Sequence, residues 1–156
     1  MKLTENLRKD RVSDLRPRPA VTLLENVSVR DAVDTLQREM AGCAILCDPE
    51  GRAVGIFTER DVLRRVIGEK VDPDSPMTTV MSTDLATVKL SDPITTAINL
   101  LHTRGLRHLP VIDEDGRPTG VVSVKRVMEY LVEHSPEAVY NLPPTTSPAL
   151  GSREGA

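Results

Sequence analysis

The chain of 156 residues contains no tryptophan, one phenylalanine (Phe57) and two tyrosines (Tyr130 and Tyr140), so aromatic content is 2%. That scarcity excludes a surface that stacks single-stranded bases on aromatic platforms. Excess positive charge is also missing: 20 Lys and Arg face 23 Asp and Glu, a formal net charge of −3. Bulk attraction to a nucleic-acid backbone is therefore excluded. No apolar run approaches the roughly 18 residues of a membrane span, and Met1–Asp10 has no signal-peptide apolar region. The two cysteines, Cys43 and Cys47, are too few for a disulfide scaffold and fit a reducing compartment. The expectation is a soluble, cytoplasmic unit with neither nucleic acid nor membrane as partner. At this length a catalytic barrel plus a regulatory module does not fit. The 39% of hydrophobic residues suffices for one core, or for two small halves sharing one.

What is present is a repeat. A shift of 65 residues lays Val21–Val66 over Ala86–Leu131 without a gap, with eight identities among 46 positions: Thr22/Thr87, Ala32/Ala97, Leu36/Leu101, Asp48/Asp113, Gly51/Gly116, Arg52/Arg117, Gly55/Gly120 and Val62/Val127. Most other positions keep apolar character, as in Val33/Ile98, Leu46/Val111 and Ile56/Val121. Ungapped register with matching pattern is the signature of a duplicated unit.

Each copy reads as β-α-β-β-α. Thr22-Leu23 and Thr87-Val88 are short strand candidates. Val29, Ala32, Val33, Leu36 and Met40 follow helical spacing, as do Ile94, Ala97, Ile98 and Leu101. Asp92 is placed to cap the second of these helices, with Pro93 at its first position. Gly42 and Gly105 lie near the helix ends, where a left-handed cap favours a residue without Cβ. Cys43–Cys47 with Ala53–Phe57, and His108–Ile112 with Thr119–Val122, read as hairpins joined by Asp48-Pro49-Glu50-Gly51 and Asp113-Glu114-Asp115-Gly116. A closing helix begins near Thr58 or Ser123. One copy is too small to bury a good core alone. The predicted fold is therefore α+β, two β-α-β-β-α repeats packed sheet to sheet about a pseudo-two-fold axis.

Around the repeats, residues 1–18 form a basic arm, with six Lys and Arg against three Asp and Glu over Lys2–Arg18. It reads as a solvated arm or a dimer contact. Repeat 1 spans 19–67 and repeat 2 spans 84–134. The linker 68–83 holds Pro73 and Pro76 and a short helical turn. Residues 135–156 carry four of the twelve prolines and read as a disordered tail.

The strings Arg107-His108-Leu109-Pro110-Val111-Ile112-Asp113, then Gly116, then Gly120-Val121-Val122-Ser123 resemble the core of a cystathionine β-synthase-type (CBS) domain. So does Gly55-Ile56-Phe57-Thr58-Glu59-Arg60-Asp61 in the first copy, and Val80-Met81-Ser82 looks like the family's lead-in. The resemblance covers roughly residues 12–134 and implies a stand-alone tandem pair, often called a Bateman module. Such pairs typically bind adenosyl compounds between repeats: AMP, ADP or ATP, with S-adenosylmethionine or NAD(H) as less common ligands. A Thr/Ser-x-x-Asp segment at the start of the closing helix holds ribose and phosphate. Basic residues before the second strand of the other repeat meet phosphate.

Carried over by position, the resemblance divides the two clefts. Thr58 and Asp61 supply the ribose element, because an ionised carboxylate accepts both ribose hydroxyls. Arg107 and His108 supply positive charge, with Arg104 three residues earlier. Ile56 and the backbone of Leu85-Ala86 border the adenine. In the second cleft, Ser123 is followed by Arg126 where the carboxylate belongs, and Gly42-Cys43 bring no charge. One competent site and one degenerate site are expected.

Simpler readings accompany each residue. Thr58-x-x-Asp61 is also a helix cap worth about 1 kcal/mol without any ligand. Arg107-His108 also fit a solvated strand edge, and Arg104 fits solvated helix surface. Cys43, Cys47, His102 and His108 invite a metal reading, but both cysteines sit in an apolar strand without zinc-site spacing, and no metal is expected. Met77, Met81 and Met128 read as core filler. His102, His108 and His134 have no Ser or Cys at informative spacing, so no enzymatic activity is expected. The predicted function is a regulatory sensor that binds an adenine nucleotide in one cleft, forms a homodimer and acts on a regulated protein. The alternative is a structural dimerisation module with an empty cleft.

Overall fold

A computed structural model describes residues 2–134; the expected tail, 135–156, lies outside the described residues. The order of elements is α1 (Lys2–Lys9), β1 (Thr22–Leu24), α2 (Val29–Arg38), β2 (Cys43–Cys47), β3 (Ala53–Thr58), α3 (Glu59–Asp61), α4 (Ile94–Thr103), β4 (His108–Ile112), β5 (Pro118–Ser123) and α5 (Val124–His134). The architecture is the α+β duplication expected from the 65-residue shift. In the first copy β1 runs parallel to β2, and β2 pairs antiparallel with β3. In the second, β4 and β5 form the matching hairpin. Both hairpins carry a bulge at the same place, after Leu46 and after Val111. Val88 meets Val111 in a single parallel bridge, so the expected second-copy strand is reduced to one residue.

The sequence explains these elements locally. Gly51 and Gly116 take φ values of +86° and +80°, which only glycine adopts without cost. Asp48 and Asp113 close the turns, each Oδ1 accepting backbone N–H bonds from two and four residues on. All five residues of β2 are buried. Ala44 and Leu46 join the first core, while Ile45 on the opposite face is equally inaccessible. A strand buried on both faces needs a layer on each side, and the second copy supplies one. Across the junction Ala53 N–H donates to Gly116 O at 2.9 Å, and Arg117 Nε to Glu50 O at 3.2 Å.

The arm keeps its basic side chains exposed from Arg8 onward, but it is anchored through two apolar ones. Val12 and Leu15, in a 3-10 turn, are fully buried in the second core beside Ile94, Leu109 and Tyr130. Burial of two such side chains contributes roughly 3–6 kcal/mol. The same shift of 65 carries this turn onto Met77–Thr79 and Val80 in the linker, where Met77 and Val80 are buried in the first core. Each lead-in also pairs with the other copy's hairpin: Arg18 bridges Val121 and Ser82 bridges Ile56. The exchange ties the two halves together.

Three smaller expectations change. Helix α4 begins at Ile94 with Pro93 in the cap position, and Ile94 N–H donates to Asp10 O of the arm at 3.1 Å. Asp92 instead accepts from Lys89 N–H at 2.8 Å. The left-handed position after α2 belongs to Met40 (φ 50°), the counterpart of Gly105 (φ 60°), and not to Gly42. Met81 packs against the first core as expected, but Met128 is more than half exposed.

Candidate functional site

The principal cleft lies where the end of β3 and the start of α3 face the α4–β4 junction. Ile56 and Thr58 come from β3 and Asp61 from the first turn of α3. Leu85 and Ala86 come from the first residues of repeat 2, and Arg104, Arg107 and His108 from the junction. All eight line one cavity of about 280 Å³. The fold thus brings every candidate ligand residue to the same place, drawn from both repeats.

Thr58 is the N-cap of α3, its Oγ1 accepting from Asp61 N–H at 3.3 Å. In return Asp61 Oδ2 accepts from Thr58 N–H at 2.9 Å and from the Thr58 hydroxyl at 3.1 Å. The capping reading and the site reading therefore share one carboxylate. Oδ2 closes the capping box, while Oδ1 has only Arg65 Nε at 3.8 Å. That leaves acceptor capacity on a half-buried anion at the cavity wall.

Charge on the other wall is unevenly committed. Arg104 donates to Asp84 Oδ2 at 2.6 Å, and the guanidinium holds the Asp84 carboxyl below the usual carboxylate range. Arg107 has no carboxylate within 4 Å among the described residues, and its carbonyl accepts Val124 N–H at 3.0 Å, fixing the backbone there. Burial pushes the His108 imidazole below its ordinary pKa, Glu59 partly opposes this and Arg107 reinforces it. The shift favours the neutral imidazole, which offers an N–H, over the positive charge expected of it. A Cβ on Gly42 would lie 2.6 Å from His108 Nε2. Gly42, expected at the second cleft, thus also lines this first cavity.

The cavity also holds groups that the sequence reading missed: Arg60, Arg64 and Arg65 on the closing helix, with Ser82 at the end of the linker and Asp84 at the start of repeat 2. Their signal was the pattern Arg60-x-x-x-Arg64-Arg65, whose counterparts are Lys125, Glu129 and Tyr130. After Asp61 the helix widens into π winding over Val62–Ile67, whereas α5 is regular throughout. Arg65 Nη1 donates to Val80 O at 2.6 Å.

The second cleft has the opposite wiring. Arg126, in Asp61's place, donates through Nε to Leu15 O and through Nη1 to Glu129 at 2.9 Å and Glu133 at 3.4 Å. Ser123 Oγ accepts from Arg126 N–H at 3.1 Å, a plain cap. Tyr130, in Arg65's place, donates its hydroxyl to Asp10. Cys43 is buried and its thiol is pushed up to about 12, leaving no thiolate at neutral pH. Among the described residues no three His, Cys, Asp or Glu side chains are grouped as metal ligands.

Comparison with known proteins agrees with this geometry. The CBS domain family model matches twice, over residues 12–68 and 77–133, the same 65-residue shift with each buried lead-in turn included. An uncharacterized 17.7 kDa protein of Acidianus ambivalens is 28% identical over 79% of this chain and 74% of its own length. The A-adding tRNA nucleotidyltransferase of Aquifex aeolicus is 31% identical over 80% of this chain, which spans only 15% of that enzyme. A CBS domain protein from Pyrobaculum aerophilum complexed with AMP superposes with TM-score 0.71 at 28% identity, covering 81% of this chain and 98% of the other. The CBS domain pair of protein MJ0100, in complex with 5′-methylthioadenosine and S-adenosyl-L-methionine, superposes with TM-score 0.72 at 20% identity, over 79% and 96%. The lead-in turns, the paired hairpins and the cleft between them thus belong to a tandem pair of CBS domains, and the chain is a member of the CBS domain family.

Proposed function

We propose that the chain is a regulatory module that binds one adenine nucleotide in the Asp61 cleft and passes its occupancy to a protein interface. The observation that carries this reading is the convergence of Thr58 and Asp61 from one repeat with Arg107 from the other. Asp61 Oδ1 accepts the ribose hydroxyls, Ile56 with Leu85 and Ala86 borders the adenine, and Arg107 with the His108 N–H meets phosphate. The AMP complex of the Pyrobaculum protein supports an adenine nucleotide as ligand. Arg104 is held by Asp84 and serves the wall rather than the ligand.

Transmission runs through α3. The closing helix lines the cavity with Asp61 and Arg64 and exposes Leu63 and Ile67 to solvent. Their counterparts on α5, Met128 and Val132, are exposed as well, beside Val124. Two pseudo-symmetric apolar stripes on one chain suit a homodimer, with a regulated protein as a further partner. A ligand shifts such an assembly only by its differential affinity for two arrangements, and a helix that touches both ligand and interface provides that difference. No helix among the described residues is long and apolar enough to cross a membrane. The two buried free thiols suit a reducing cytoplasm. No enzymatic step is assigned to these residues.

The second reading, a dimerisation module with an empty cleft, draws on the Thr58–Asp61 capping box, which is complete without a ligand. Isothermal titration with AMP, ADP, ATP, S-adenosylmethionine and NADH decides between them. Saturable binding of an adenine nucleotide, lost in Asp61→Ala, is expected. Absence of heat with every ligand, in folded protein free of bound nucleotide, establishes the second reading instead.

A further inference from the structure

We propose that the cleft discriminates by phosphate number, with Arg60 and Arg64 making it a site for adenosine di- or triphosphate over the monophosphate. This rests on the adenine-nucleotide reading above. Five arginines line the cavity, and two of them are committed. Arg104 is bound to Asp84, and Arg65 is held between Val80 O and Asp61. Arg60, Arg64 and Arg107 have no carboxylate within 4 Å among the described residues.

The three stand on two walls, Arg107 ahead of β4 and Arg60 with Arg64 four residues apart on the closing helix. A single phosphate beside the ribose is satisfied by the Arg107 fork and the His108 N–H. It leaves Arg60 and Arg64 uncompensated, two like charges on one short helix. Further phosphates extending toward that helix supply the anions these forks lack. The fold itself does not require a basic residue at position 64, whereas the counterpart of Arg60 is Lys125. In the other copy the position of Arg64 is held by Glu129, which is ion-paired to Arg126 at 2.9 Å.

The test is titration of the full chain with AMP, ADP and ATP at low salt with EDTA present, in wild type and in Arg60→Gln/Arg64→Gln. Both side chains are exposed, so the variant is expected to fold, and circular dichroism checks that. Wild type is expected to bind ADP and ATP at least about tenfold more tightly than AMP. In the double variant ATP affinity falls to the AMP level while AMP affinity changes less than about twofold. Inorganic triphosphate is expected to displace ATP from wild type, a readout independent of the variant. AMP binding as tightly as ATP, or an ATP preference that survives the double substitution, overturns this proposal and leaves the adenine-nucleotide site intact. Failure of all three nucleotides to bind overturns the parent reading and this one with it.

Discussion

The two clefts occupy equivalent positions in a duplicated fold and differ in almost every charged group. Asp61 is matched by Arg126, Arg64 by Glu129, Arg65 by Tyr130, Arg104 by Glu39 and Arg107 by Gly42. In the second cleft the charges answer one another: Arg126 is bound to Glu129, Glu133 and the Leu15 carbonyl, and its side chain is only 13% exposed. In the first, three arginines have no carboxylate within 4 Å and Asp61 keeps an oxygen free of hydrogen bonds among the described residues. The same backbone therefore supports a half whose charges pair internally and a half that leaves charged groups free along a cavity. Both copies bury a lead-in turn, Val12 with Leu15 in the second core and Met77 with Val80 in the first, so the difference lies in the side chains around each closing helix and not in the backbone.

Single substitutions can break this contrast from either side. The largest selective effect is expected from Arg107→Ala. It should weaken AMP by about tenfold or more, the worth of a charge-assisted pair to phosphate, while adenosine affinity changes little. Equal losses for both, read by titration, would remove Arg107 from the phosphate subsite. Arg126→Ala should act on stability alone. It leaves the Leu15 carbonyl and two carboxylates without their donor and should cost about 1.5–3 kcal/mol in urea denaturation, with nucleotide affinity unchanged. A change in affinity would show that the second cleft takes part in binding. The smallest effect is at the helix ends. Met40 holds the left-handed conformation that Gly105 holds in the other copy, and its side chain is almost wholly exposed. Met40→Gly should therefore stabilise by about 1 kcal/mol and Gly105→Ala destabilise by a similar amount, both read from denaturant midpoints.

Much of this was legible before any coordinates. The repeat fixed the pairing of hairpins, because identical turn chemistry at Asp48–Gly51 and Asp113–Gly116 leaves little choice of register. The eight candidate residues were placed by position within the family pattern, and they meet at one cavity because each repeat contributes its own β-strand end. Other features could not be read from spacing. Arg104 is captured by Asp84, twenty residues away and across the cleft, a contact only the tertiary fold creates. The lead-in turns share no identity, Val12 and Leu15 against Met77 and Val80, so their equivalence was hidden beneath the charge around them. The downward shift of the His108 pKa follows from burial, which a motif match does not report. Met40 takes a glycine's role because its side chain points into solvent, where left-handed strain costs little beyond the backbone itself.

The most direct test is the number of adenine nucleotides bound per chain, measured by equilibrium dialysis with AMP and ATP on wild type, Asp61→Ala and Arg126→Ala. Inequality of the clefts predicts one site per chain in wild type, none in Asp61→Ala and one in Arg126→Ala. Two sites per chain, or one site that survives Asp61→Ala and disappears in Arg126→Ala, would contradict it.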